Sequence, residues 1–87
     1  MKRIHVLIYG KVQGVGFRFF IDKLAYSLGI KGYVKNSNNQ LEAEFEGKEE
    51  SIEKILEYCR KGPAFAKVTK IEVKDIQLKN EDNFEVK

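Results

Sequence analysis

Leu41-Glu42-Ala43-Glu44-Phe45-Glu46 alternates apolar and acidic residues without a break. A period of two marks a strand whose faces meet different surroundings. Leu41, Ala43 and Phe45 share one face, and Glu42, Glu44 and Glu46 share the other, which predicts a sheet with one buried and one wet side. Just upstream, residues 31–36 read as the preceding strand. A hairpin between the two sets Lys31, Tyr33 and Lys35 opposite Glu46, Glu44 and Glu42, pairings worth about 0.2–1 kcal/mol each.

Downstream, Ile52, Ile55, Leu56 and Cys59 fall at helical spacing, with Glu50, Glu53, Lys54 and Glu57 turned outward. Glu49 and Glu50 suit the positive start of that helix, Arg60 and Lys61 suit its negative end, and Gly62-Pro63 stops it. Residues 66–78 read as a long strand containing Val68, Thr69, Ile71 and Val73. The alternation changes phase before Ile76 and Leu78, which predicts a bend or bulge near Lys74-Asp75. Phe84-Glu85-Val86 supplies a short C-terminal edge strand. At the other end, Ile4–Tyr9 reads as a strand. Phe17, Phe20, Ile21, Leu24, Ala25 and Leu28 then mark a helix that stops at Gly29. The order is β-α-β-β-α-β: an α+β, ferredoxin-like two-layer sandwich with both helices on one face of a mainly antiparallel sheet.

The chain's 87 residues suffice for one domain, taken as residues 1–87. One cysteine excludes an internal disulfide framework, no Cys/His cluster has zinc-ligand spacing, and no metal or cofactor is expected. Ile4–Tyr9 is too short to span a membrane, and no cleavage-site pattern follows it; the expectation is a soluble cytoplasmic protein. The charge balance of +3 comes from 16 basic and 13 acidic residues spread along the chain, too little to demand a nucleic acid.

The least ordinary stretch is Gly10-Lys11-Val12-Gln13-Gly14-Val15-Gly16-Phe17-Arg18, which joins a strand to a helix. Its glycines permit backbone shapes that line up successive N–H groups. The helix start adds its positive end and Arg18 a permanently charged fork, so three sources of positive potential converge as in a phosphate cradle. Two nucleotide motifs do not apply. No Lys-Ser or Lys-Thr follows a glycine, and Phe19 stands where a third glycine would complete Gly-x-Gly-x-x-Gly.

That nine-residue run resembles the signature loop of acylphosphatases. Gly32-Tyr33-Val34-Lys35-Asn36 resembles their second motif, Gly62-Pro63-Ala64-Phe65-Ala66-Lys67-Val68 a third segment, and Phe84-Glu85-Val86 their usual ending. The resemblance implies hydrolysis of a small acyl phosphate to a carboxylate and inorganic phosphate. It assigns Arg18, with the loop Gln13, Gly14, Val15, Gly16 and Phe17, to phosphate binding, and Asn36 to holding the attacking water. An amide is no strong base, so the water's proton would go to an oxygen of the substrate's own phosphate. Two departures from the family pattern stand out. Ser37-Asn38-Asn39-Gln40 replaces the usual longer turn, and Lys35 replaces an arginine beside Asn36.

Other residues read as structural. His5 and Cys59 belong to packing, Lys11 to the solvated loop, the tyrosines to packing with polar tips, and Asp22 to an exposed helical pair with Arg18. Two rivals remain. An RNA-recognition domain would carry its aromatic motif on the third strand, whereas Gly14–Phe20 enters the first helix and the third strand carries carboxylates. A phosphate-binding regulatory module without turnover is the other. The expectation is a monomeric hydrolase with no nucleic-acid or membrane partner.

Overall fold

The computed structural model describes Met1–Lys87. Its elements are β1 (Lys2–Lys11), α1 (Phe17–Leu28), β2 (Lys31–Ser37), β3 (Gln40–Gly47), α2 (Glu49–Lys61), β4 (Lys67–Ile76) and β5 (Phe84–Val86). The strands form one sheet in the order β4-β1-β3-β2-β5. All neighbours are antiparallel except β2 and β5, which run parallel. The β-α-β-β-α-β order is that expected from the sequence, and Phe84–Val86 is the added edge strand.

The hairpin register matches the charge pattern: Lys31 faces Glu46, Tyr33 faces Glu44 and Lys35 faces Glu42. Ile4, Val6, Ile8, Val34, Leu41, Ala43 and Phe45 supply the sheet side of the core. Phe17, Ile21 and Ala25 of α1 and Ile52, Ile55 and Cys59 of α2 cover them. Burial pushes the Cys59 thiol up to about 12, so this cysteine is a packing residue with little thiolate. Phe20, Leu24, Leu28 and Leu56 pack around this cluster, half-buried.

Two expectations need correction. β4 has no break at Lys74-Asp75, where His5 and Ile4 pair with Lys74 and Asp75 in unbroken register. The irregularity lies earlier, where Tyr9 pairs with Lys70 and Gly10 with Val68, leaving Thr69 as the extra residue. Gly10 permits it, because a side chain there would run into the Lys67 carbonyl. Ile76 lies opposite Arg3, on the face away from the helices, so the phase change records a change of covered face.

The acidic face of β3 is also less wet than its alternation implies. Glu44 and Glu46 are buried, and Glu42 is half-buried. Arg3 donates from Nε and Nη2 to Glu44 Oε1 at 3.0 and 2.7 Å and from Nη1 to Glu46 Oε1 at 3.0 Å. Its Nη2 also lies 2.7 Å from Glu81. The Lys79 and Asn80 backbone N–H groups donate to Glu46, and Lys79 Nζ lies 3.1 Å from Glu44. Burial pushes both carboxyls upward, but these partners outweigh it and hold them below the usual range.

Candidate active site

Strand direction assembles the candidate site. β1, β2 and β5 all run the same way, so their C-terminal ends reach one edge of the sheet. β1 delivers the glycine loop there, β2 delivers Asn36 near its end, and β5 delivers Val86. These meet in a cleft of about 320 Å³ lined by Val12, Gly14, Gly16, Phe17, Arg18, Phe19, Asn36 and Val86.

The loop takes the shape its glycines allow. Gly14 and Gly16 have φ of 72° and 76°, in the left-handed region that side chains disfavour. Gly16 is the N-cap of α1, no side chain caps that helix, and its first helical bond runs from Phe20 N–H to Gly16 C=O at 3.0 Å. The N–H groups of the first turn are therefore left without helical partners at the cleft. The two helices differ here: Glu49 and Glu50 occupy the first turn of α2, whereas no acidic residue occupies that of α1. The positive end of α1 faces the cleft without a carboxylate from its own first turn, an arrangement suited to an anion.

Arg18 is half-buried, and its Nη1 donates to the Lys87 carbonyl at 2.8 Å. No ion pair joins it to Asp22, so the expected helical pair does not form. Asn36 is exposed at the cleft. Of the loop residues singled out from the sequence, Gly14, Gly16, Phe17 and Arg18 line the cleft, whereas Gln13 and Val15 do not. Val15 packs against the core. The Gln13 side chain reaches the β2–β3 turn, donating from Nε2 to the Asn38 and Gln40 carbonyls at 2.8 Å each. That turn stays short because Asn38 adopts φ 56°, a left-handed conformation Asn tolerates better than most residues.

Sequence reasoning did not place Phe19 and Val86 at the cleft. Phe19 carries a usable signal, an apolar residue off the inward stripe of its helix; Val86 carries none. His5 lies on the face away from the helices with Nε2 3.2 Å from Glu42 Oε2, and Tyr33 donates to that same oxygen at 2.6 Å. The Tyr33 bond, helped by His5, holds Glu42 below the usual carboxylate range against the effect of burial. No group of three or more His, Cys, Asp or Glu side chains is gathered as metal ligands would be.

An acylphosphatase family model matches residues 4–86. The chain belongs to the acylphosphatase family. It is 44% identical to an acylphosphatase of Methanocella arvoryzae over the full length of both chains. The crystal structure of Bacillus subtilis acylphosphatase superposes with a TM-score of 0.96 at 33% identity, covering 99% of this chain and 98% of that one. Full-length HypF in its phosphate- and nucleotide-bound form matches at TM-score 0.93 and 31% identity, over 98% of this chain but only 11% of the larger one. Membership makes the protein a hydrolase and implies a small acyl-phosphate substrate, with inorganic phosphate as a product. No helix is long and apolar enough to cross a membrane.

Proposed function

We propose that this single domain, residues 1–87, hydrolyses acyl phosphates without a metal. In this reading Arg18 and the N–H groups of the Gln13–Arg18 loop hold the phosphate, and Asn36 holds the attacking water. The observation that carries it is the shared cleft, where Arg18, Asn36, two left-handed glycines and the uncapped start of α1 converge. Water attacks phosphorus in line with the bond to the acyl oxygen. That bond breaks, its electron pair leaves with the carboxylate, and the water's proton passes to a phosphate oxygen. A carboxylate is a good leaving group, so no protein acid is required. What remains is positioning and charge stabilisation, which a guanidinium, backbone donors and one amide provide. Gln13 serves this site by tying the loop to the turn beyond Asn36, and Val15 by anchoring the loop in the core.

The working form is proposed as a cytoplasmic monomer acting on a small molecule, with no nucleic-acid partner. The aromatic run Gly14–Phe20 lies in the loop and α1 rather than on β3, which supports the last point. Hydrolysis of benzoyl phosphate in EDTA, followed by absorbance, tests the activity. Wild-type protein should turn over, Arg18→Ala should lose both turnover and inhibition by phosphate, and Asn36→Ala should lose turnover but keep most phosphate affinity. Phosphate binding by wild type without any turnover would instead favour a phosphate-binding regulatory module. Equal activity in wild type and Arg18→Ala would overturn the assignment.

A further inference from the structure

The chemistry proposed for the cleft leaves its apolar rim without a purpose. Phosphate binding and water placement use a guanidinium, an amide and backbone N–H groups, none of which requires a phenyl ring. Yet Phe19, 68% exposed, and Val86, 46% exposed, both line the cleft that holds Arg18 and Asn36. One exposed apolar side chain is ordinary on a protein surface. Two, brought from α1 and β5, line the same charged cleft.

Phe19 also breaks the pattern of its own helix. The apolar stripe of α1 turns Phe17, Ile21 and Ala25 into the core, and Phe19 lies off that stripe, where polar residues are the rule. Lys23, one turn on, places Nζ 5.8 Å from the centroid of the Phe19 ring, within cation–π range. The ring is thus steadied by a helical neighbour while remaining largely in water. Tyr26 makes a useful contrast. It is 90% exposed on the same helix, but it borders a different depression beside Gly29 and Asn83. The cleft's volume of about 320 Å³ is many times the roughly 10–15 Å³ that admits a single water, so there is room beside a phosphate for a further group.

We infer that Phe19 and Val86 form an acyl-group rim that selects acyl phosphates with an apolar, above all aromatic, acyl group over those with a small one. The inference rests on the acylphosphatase reading of the same cleft. The two ends of such a substrate differ as the two parts of the cleft do: an anionic phosphate for Arg18 and the loop, an apolar body for Phe19 and Val86. An aromatic acyl group gains both burial and ring contact with Phe19. The contact lies away from the bond that breaks, so ground state and transition state share it, and it belongs to KM rather than kcat.

Steady-state hydrolysis of benzoyl phosphate and acetyl phosphate by wild type, Phe19→Ala, Phe19→Leu and Tyr26→Ala tests the rim. Phe19→Ala should raise KM for benzoyl phosphate about tenfold, equivalent to about 1.4 kcal/mol. The benzoyl-to-acetyl ratio of kcat/KM should fall by the same factor, with Phe19→Leu intermediate and Tyr26→Ala at the wild-type ratio. Inhibition by inorganic phosphate should be alike in all four proteins. A Phe19→Ala ratio equal to wild type, or equal losses on both substrates, overturns the rim and leaves the acylphosphatase reading standing. Failure of wild type to hydrolyse either substrate overturns that reading and the rim together.

Discussion

Arg3 and Arg18 are the same side chain in opposite circumstances. Arg3, the second residue of β1, has a side chain that is 0% exposed and meets three carboxylates, those of Glu44, Glu46 and Glu81. Arg18 lies in the first turn of α1, beyond the far end of that strand, half-buried, with one bond to the Lys87 carbonyl. A guanidinium has five N–H donors. Arg3 spends its fork on the protein and is neutralised there. Arg18 keeps most of its donors and its charge for something the chain does not provide. A saturated arginine stabilises the fold, and an unsaturated one beside an uncapped helix start is equipped to bind an anion.

Removing each arginine in turn should exchange the phenotypes, and Arg18 gives the larger effect. Arg18→Ala should lower kcat/KM for benzoyl phosphate by about 10³-fold, in the range for losing a transition-state donor or cation. It gives up one bond to a carbonyl, so Tm should fall by no more than about 5 °C. Arg3→Ala should do the reverse. Leaving Glu44 and Glu46 short of their buried partner costs about 3 kcal/mol, and Tm should fall by more than about 12 °C. The protein that stays folded should keep kcat/KM within about twofold of wild type. Calorimetry and kinetics on the same two preparations would break the comparison if either variant lost both properties.

Acid sharpens the contrast further. Glu44 and Glu46 sit below their ordinary value of 4.5 in the folded protein, because Arg3 and the Lys79 region outweigh the upward push of burial. The unfolded chain therefore binds more protons than the folded one in this range. Their contribution is complete above about pH 4.5 and disappears as pH falls through the folded values. Denaturant unfolding of wild type should show stability dropping below that pH. In Arg3→Ala the drop should be shallower, since Glu44 has lost its chief partner and Glu46 one of its partners, while the Lys79 backbone bond to Glu46 remains. Parallel pH curves for the two proteins would remove Arg3 from its role.

The sequence was legible where neighbours along the chain carried the signal. The alternation at Leu41–Glu46 gave the β2–β3 register, and helical spacing at Phe17–Leu28 and Ile52–Cys59 gave both covering helices. The glycine loop, Arg18 and Asn36 stood out as candidates through spacing and family resemblance, and strand direction brings them to one cleft. What escaped depends on partners distant in the chain. Glu44 and Glu46 look solvated until Arg3, Lys79 and Glu81 fold over them from both ends of the sequence. The bulge sits at Thr69 because of Gly10 on another strand, which the pattern within β4 does not reveal. That the Gln13 side chain reaches the turn beyond Asn36 is likewise invisible in the loop's own sequence, because its partners Asn38 and Gln40 lie in another part of the chain.

Gln13 gives the smallest expected effect and tests whether the Arg18 end of the molecule needs internal bracing at all. Its amide spans the gap between the loop that carries Arg18 and the turn that follows Asn36, with two bonds of 2.8 Å. Each such bond contributes about 0.5–1.5 kcal/mol net, and the carbonyls of Asn38 and Gln40 can be rehydrated once the amide is gone. Gln13→Ala should therefore cost about 1 kcal/mol, which is about 4–8 °C in Tm for a domain of this size. If the brace sets the distance between phosphate and attacking water, kcat should fall about fivefold to tenfold while inhibition by phosphate barely changes, because misplacement is felt most in the transition state. A loss of stability with kcat intact would make Gln13 a turn staple only, and Arg18 and Asn36 would then owe their relative placement to the parallel strands β1 and β2 alone.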